Sequence, residues 1–294
     1  MSDLSARSGP ILCVTVTTAD LSTAVAVYNA GLGLVVVARG RITPALARLW
    51  DAPALDGAPW VLLAAKANGA RATGGLRLVE LACEPADGAP LASLGWAAAE
   101  LSVIDTDARM AEACAAGFSE LGAARALGSN GAIRAGQIAG PSGEALYLTD
   151  VRAYAGGLEL CRARLPVERC FIAVLASGDL EADRAWLEDH AIGRRISDRP
   201  VDVPVLKRTM NLPDDHRIRI SSLQLAGESL IEIDAYPSGV AERAGRQGWP
   251  LGVAMVTLVA AIDGGEAIAM PPYEGRRVRM DRLPGGARLE RVAA

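Results

Sequence analysis

Two stretches decide how this chain is read: Leu78-Val79-Glu80-Leu81 with Pro85 beyond it, and Leu230-Ile231-Glu232-Ile233 with Pro237 beyond. Each is an apolar, strand-like run holding one carboxylate, with a proline at the same distance. Working outward, a Gly-Trp pair follows each stretch, Gly95-Trp96 and Gly248-Trp249. Upstream, Asp20-Leu21 precedes Val27-Tyr28 as Asp179-Leu180 precedes Trp186-Leu187. Downstream, Pro141-Ser142-Gly143 leads to Leu146-Tyr147 as Pro284-Gly285-Gly286 leads to Leu289-Glu290. Matched landmarks kept in one order indicate an internal duplication.

Within the first repeat, Ile11 to Thr17 is apolar and β-branched, and Asp20 caps a helix whose Leu21, Ala24, Val25, Tyr28 and Leu32 recur at helical spacing. Gly31 and Gly33 are expected to end that helix. Strands follow at Leu34 to Ala38, Trp60 to Ala65 and Leu76 to Leu81. A second unit has a strand at Ala97 to Val103, a helix at Asp107 to Ala116, and strands at Ile133 to Ile138 and Ala145 to Thr149. The scheme returns from Arg169 to Tyr236, and a last unit starts at Leu251. There Asp263-Gly264-Gly265 interrupts where a helix should begin, so this unit is eroded. The expected domains are a first half over 8–152, a linker over 153–167 whose Leu158 to Leu165 could form a short helix, and a second half over 168–294. Segments Arg39 to Pro59 and Ser197 to Lys207 read as loops without a signature.

Thirty basic and 34 acidic residues give a net charge of -4, which provides no bulk field for nucleic acid. Five cysteines (Cys13, Cys83, Cys114, Cys161, Cys170), odd in number and without a CxxC pair, fit reduced thiols in a cytoplasm. The apolar run from Pro250 to Ile262 is shorter than the roughly 20 residues of a membrane span and reads as a buried strand. The expected partner is a small-molecule ligand, with neither nucleic acid nor membrane, and the expected protein is a cytoplasmic monomer or homodimer.

The order strand, helix, three strands, repeated and paired, resembles the vicinal oxygen chelate superfamily of glyoxalases, bleomycin-resistance proteins and extradiol dioxygenases. Leu32-Gly33-Leu34 at the end of the first helix and the Gly140-Pro141-Ser142-Gly143 turn carry the likeness further. The resemblance implies an α+β fold of duplicated βαβββ modules, in two paired-module halves with the last module eroded. It also implies cups in which a first-strand residue and a last-strand residue of each unit meet a divalent ion. Counted from Asp20, those positions fall on Cys13 and Glu80; in the second unit near Ala98 and Tyr147; in the third near Ile172 and Glu232; in the fourth near Val253 and Glu290. Neither cup has a histidine, so no metal site and no cofactor are expected, with a divalent metal as the alternative although its usual histidine ligands are missing. An iron centre of two histidines and a glutamate would keep only Glu290, so dioxygenase chemistry is not expected.

A carboxylate inside an apolar strand must find a partner or shift its pKa, so Glu80 is the candidate base. Tyr147 is a candidate hydrogen-bond donor and Cys13 a candidate cavity thiol; each has a plain packing alternative. Candidates for holding a ligand are Glu232, His216 (which follows Asp214-Asp215 in a turn) and Arg219. The leading expectation is a metal-independent isomerase or lyase acting on a small carbonyl compound. The alternative is a non-catalytic binding protein of the bleomycin-resistance type.

Overall fold

A computed structural model describes residues 8–68, 73–81, 90–127, 131–153, 157–243, 245–246 and 249–294. Cys83, Pro85 and Gly248, used as landmarks above, lie outside them.

Unit one comprises β1 (Ile11–Thr18), α1 (Leu21–Leu32), β2 (Leu34–Arg41), α2 (Pro44–Leu49), β3 (Pro59–Ala65) and β4 (Gly75–Glu80). Unit two comprises β5 (Gly95–Val103), α3 (Thr106–Ala115), β6 (Ser119–Leu127), β7 (Ile133–Ala139) and β8 (Ala145–Val151). Unit three comprises β9 (Val167–Ser177), α4 (Leu180–Asp189), β10 (Arg194–Val201), α5 (Pro204–Thr209), β11 (Ile218–Gln224) and β12 (Leu230–Ala235). After the short pair β13 (Gly245–Arg246) and β14 (Trp249–Pro250), unit four has β15 (Gly252–Ala260), β16 (Glu266–Ala267), β17 (Arg277–Arg282) and β18 (Arg288–Ala293). No helix is described between β15 and β16, as the Asp263-Gly264-Gly265 interruption implies.

One device starts the long helix of units one to three. Asp20, Asp105 and Asp179 each accept a hydrogen bond from the backbone N–H three residues on, at 2.9, 3.1 and 3.1 Å, which satisfies an otherwise orphaned helical donor. Gly33 closes α1 in the left-handed conformation at φ 65°, and its N–H donates to Asn29 O. Gly31, expected at the helix end, lies inside α1. A Cβ there would stand 2.9 Å from Cα of Ala113, so Gly31 is where α1 and α3 approach closely.

The two eight-stranded sheets do not follow the halves of the chain. Their orders are β16-β17-β18-β15-β1-β4-β3-β2 and β10-β11-β12-β9-β5-β8-β7-β6. Unit one is therefore closed by unit four, and unit two by unit three, where the sequence reading paired one with two and three with four. The cause is local. The segment after β8 returns β9 antiparallel to β5, with Ala99 opposite Ala173, and β15 takes the matching place beside β1, with Val14 opposite Val256. Three smaller expectations also change. Leu158 to Leu165 forms no helix, β6 is an additional strand, and the two segments read as loops carry α2 and α5.

Side chains of the outer sheet faces and of α1, α3 and α4 form one continuous core, including Val14, Tyr28, Leu78, Leu101, Ile138, Leu175, Ile233 and Leu289. Tyr28 O–H donates to buried Glu144 at 2.6 Å, and Trp96 Nε1–H donates to Arg288 O at 2.6 Å, which ties unit two to units one and four. Each concave face encloses a separate apolar cluster, and these two cups hold the polar residues of interest. Among the described residues no helix is long and apolar enough to cross a membrane.

Candidate active site

Strand register decides which residues enter a cup, because side chains alternate faces and an odd shift reverses them. In unit one, Thr15 lies beside Arg77 and Thr18 beside Glu80. In unit two, Glu100 lies beside Tyr147. In unit three, Val174 lies beside Glu232 and Ser177 beside Ala235. In unit four, Thr257 lies beside Glu290. The equivalent last-strand positions are thus Arg77, Tyr147, Glu232 and Glu290. Glu80 corresponds to Ala235 and faces the helices, where its Oε2 accepts from Leu21 N–H at 3.3 Å. The resemblance between Leu78-Val79-Glu80-Leu81 and Leu230-Ile231-Glu232-Ile233 is out of register by three residues, which turns Glu80 away from the cup. Likewise Gly95, at φ 104°, corresponds to Gly252, at φ 79°, while Trp249 lies upstream of the equivalent strand. Glu80→Gln preserves an acceptor for Leu21 N–H, so it is expected to leave turnover unchanged and stability within about 0.5 kcal/mol by thermal melting.

The first cup, between units one and four, is filled by its own ion pair. Arg77 Nη2 stands 3.1 Å from Glu290 Oε2, and both side chains are 0% exposed. The guanidinium also donates to Thr15 Oγ1 at 2.8 and 3.0 Å, to Thr257 Oγ1 at 3.2 Å, and to Tyr273 Oη. Glu290 accepts from Trp50 Nε1–H at 2.6 Å, Thr257 O–H at 2.7 Å and Tyr273 O–H at 2.8 Å. The rings of Trp50 and Tyr273 lie 4.6 and 5.5 Å from the guanidinium carbon. Burial opposes the Arg77 charge, but Cys13, Tyr273 and Glu290 outweigh it and raise the guanidinium pKa. Cys13 is fully buried in this cup; burial pushes its thiol up, against the pull of Arg77. Trp50 comes from the segment that α2 opens, and it seals the cup. That short helix was legible in Thr43-Pro44, a capping threonine before a proline at the first helical position.

Among the described residues the second cup, between units two and three, holds no ion pair, and it reaches solvent at half-buried Glu232. Tyr147 and Glu232 occupy the last-strand positions, with Glu100 beside Tyr147 on β5, and Asp234 and Thr149 one step along on the same face. Thr149 O–H donates to Glu100 Oε1 at 2.6 Å. Burial and then Glu232 push Glu100 up to about 8, despite Thr149. Burial raises Glu232 to about 7 against the pull of Arg199 on β10. Asp234 is raised well above the carboxylate range by burial, Glu232 and Glu100. The Tyr147 hydroxyl is raised well above the usual phenol range by burial and then by Asp234, Tyr236, Glu232 and Glu100. Among the described residues it has no hydrogen-bond partner, and neither has Asp234 Oδ1. Ile172, Val174, Leu230, Val205 and Leu206 belong to the apolar cluster around them.

The remaining candidates stand apart. Arg219 is 46% exposed and holds Asp198 at 2.7 and 2.8 Å and Glu181 at 2.6 Å, on the face of β11 opposite Ile218 and Ile220. His216 lies in the turn before β11, its N–H donating to Pro213 O at 3.0 Å. The sequence reading passed over Glu100 and Asp234, although each had a signal. Glu100 is the lone acid of the Ala97-Ala98-Ala99-Glu100-Leu101 run, and Asp234 shares a strand face with Glu232 by period two.

Neither cup suits a divalent ion of the kind that relatives of this fold hold. In the first, a guanidinium occupies one ligand position and neutralises the Glu290 carboxylate. In the second the donors are carboxyls and a phenol, and among the described residues no three acidic, cysteine or histidine side chains are placed to share an ion.

Paired βαβββ units curled around two concave cups define the fold of the vicinal oxygen chelate superfamily, and this chain has it. In particular it is similar to glyoxalase I from Zea mays, with a TM-score of 0.60 at 15% identity over 96% of this chain and 92% of that one. It is also similar to a protein from Bacillus subtilis subsp. subtilis str. 168 named as a putative dioxygenase, with a TM-score of 0.58 at 13% identity over 98% and 86%. At these identities the likeness is one of fold. No family model and no curated protein matches the sequence.

Proposed function

We propose that the second cup is the working site and that it carries isomerase or lyase chemistry on a small carbonyl compound, by proton transfer at carbon. Tyr147, whose buried hydroxyl has no partner among the described residues, and Glu232, raised to about 7, hold the two strand positions that Arg77 and Glu290 hold in the first cup, and this supports the reading above all. Glu232 takes a proton from the carbon beside the carbonyl, and Tyr147 donates a hydrogen bond to the oxygen as it gains charge. Return of the proton to a neighbouring carbon gives isomerisation; departure of a group from that carbon gives elimination. Burial raises Glu100 to about 8 and raises Asp234 well above the ordinary carboxylate range, which lessens competing negative charge near the reacting carbon.

The base acts only when ionised. Because the Glu232 pKa is raised to about 7, kcat/KM is expected to rise with pH below 7 and level off above it. A base at the ordinary carboxylate pKa would give a profile already flat at pH 6. The reaction is tested by following solvent deuterium into small ketones, 2-oxoacids and hydroxyketones by proton NMR. Exchange above the buffer rate supports the proposal, and none with any of them overturns it. The apolar lining of the same cup favours a second reading, a small-molecule binding protein, for which a co-purified ligand would be recovered unchanged.

A further inference from the structure

We infer that the ligand of the second cup carries a guanidinium or ammonium group, which docks at Asp234, beside Glu232 and the Tyr147 hydroxyl. This rests on the second cup being the working site and adds to it the chemical class of the ligand.

The molecule supplies its own precedent. The two cups are built from equivalent units, and their last-strand positions hold Arg77 with Glu290 in one and Tyr147 with Glu232 in the other. In the first cup the guanidinium fills the space between the strands, paired with the carboxylate and bounded by the rings of Trp50 and Tyr273. The second cup keeps the carboxylate at the matching position, adds Glu100 and Asp234, keeps aromatic residues at Tyr147 and Tyr236, and lacks the arginine. Burying carboxyls without a compensating cation is costly, and the cost falls when a cation arrives with its own donors. Among the described residues no basic side chain is a cause of the shifts at Glu100 or Asp234, and Arg199, exposed on β10, is the one that pulls on Glu232.

Two further features are independent of the count of acids. Tyr147 is 7% exposed and its hydroxyl has no partner, while Asp234, 1% exposed, keeps one oxygen without a donor. A planar guanidinium or an ammonium presents several N–H groups at once, which suits both atoms. The apolar surroundings of Ile172, Val174 and Leu230 suit the carbon chain of an organic cation better than a hydrated metal ion.

The test uses n-butylguanidinium and its neutral near-isostere n-butylurea, with manganese chloride as the competing divalent ion, by calorimetric titration of the full chain. Butylguanidinium is expected to bind roughly tenfold or more tightly than butylurea, and Asp234→Asn to bring the two close together. Should Asp234→Asn fail to fold, Tyr147→Arg, which places a cation where the first cup has one, is expected to abolish butylguanidinium binding. Equal affinity for the two probes, tighter binding of manganese, or binding of neither probe overturns the inference. Deuterium exchange is read separately. Exchange without charge selectivity removes this inference alone, and charge-selective binding without exchange removes the proton-transfer reading alone.

Discussion

Arg77→Met is expected to lower the unfolding free energy by about 3–5 kcal/mol, because it strands a buried carboxylate. Glu290 is fully buried, and its Trp50, Thr257 and Tyr273 donors remain in the variant, but its only positive partner among the described residues is gone. Removing both charges together behaves differently. Arg77→Met with Glu290→Gln is expected to recover much of the loss, since an ion pair buried away from water contributes little net stability while a lone buried charge is strongly unfavourable. Thermal and urea unfolding of the two single variants and the double variant reads this directly. A single variant as stable as the parent would mean that the first cup admits water, contrary to its sealing by Trp50 and Tyr273.

The second large effect is on turnover. With Glu232→Gln, deuterium exchange is expected to fall by about two to four orders of magnitude, the usual contribution of a positioned general base. Tyr147→Phe removes only the hydroxyl and is expected to cost about two to three orders in kcat, as does loss of one oxyanion donor. Both variants leave the strand pairing of β8 and β12 intact, so melting temperature serves as the control. Exchange that survives Glu232→Gln would transfer the base to Glu100, whose carboxyl lies in the same cup beside Tyr147.

How far the residues themselves disclosed this arrangement depends on the physical signal each carries. Asp20, Asp105 and Asp179 cap helices at a fixed offset from the preceding strand, and such caps survive because each replaces a lost backbone hydrogen bond. Asp20 and Asp179 made the repeating unit legible, while the second unit's helix was read from Asp107 without its cap. The pairing of units was not, since nothing local in β1 or β5 says which remote strand will lie beside it. Register was the sharper failure. Matching by letters placed Glu80 with Glu232, whereas matching from the caps, with Thr18 opposite Glu80 and Ser177 opposite Ala235, places Arg77 there. An odd slip in a strand of period two exchanges cup for core, and a candidate base became a group accepting from the first turn of α1. Tyr147 and Glu232 both lie at the equivalent last-strand positions of the second cup. Glu100 and Asp234 were visible as acids in buried strands, but their convergence needs the three-dimensional pairing of β5 with β9.

The most direct test of the account is a carboxyl carbon-13 NMR titration of the protein between pH 4 and 9, with resonances assigned through Glu232→Gln and Glu100→Gln. The account predicts that Glu232 titrates near 7 and Glu100 near 8, both far above the ordinary glutamate value of 4.5. Two ordinary titrations close to 4.5 would contradict it, for they would mean that the second cup is wet and that its carboxyls are not poised for proton transfer.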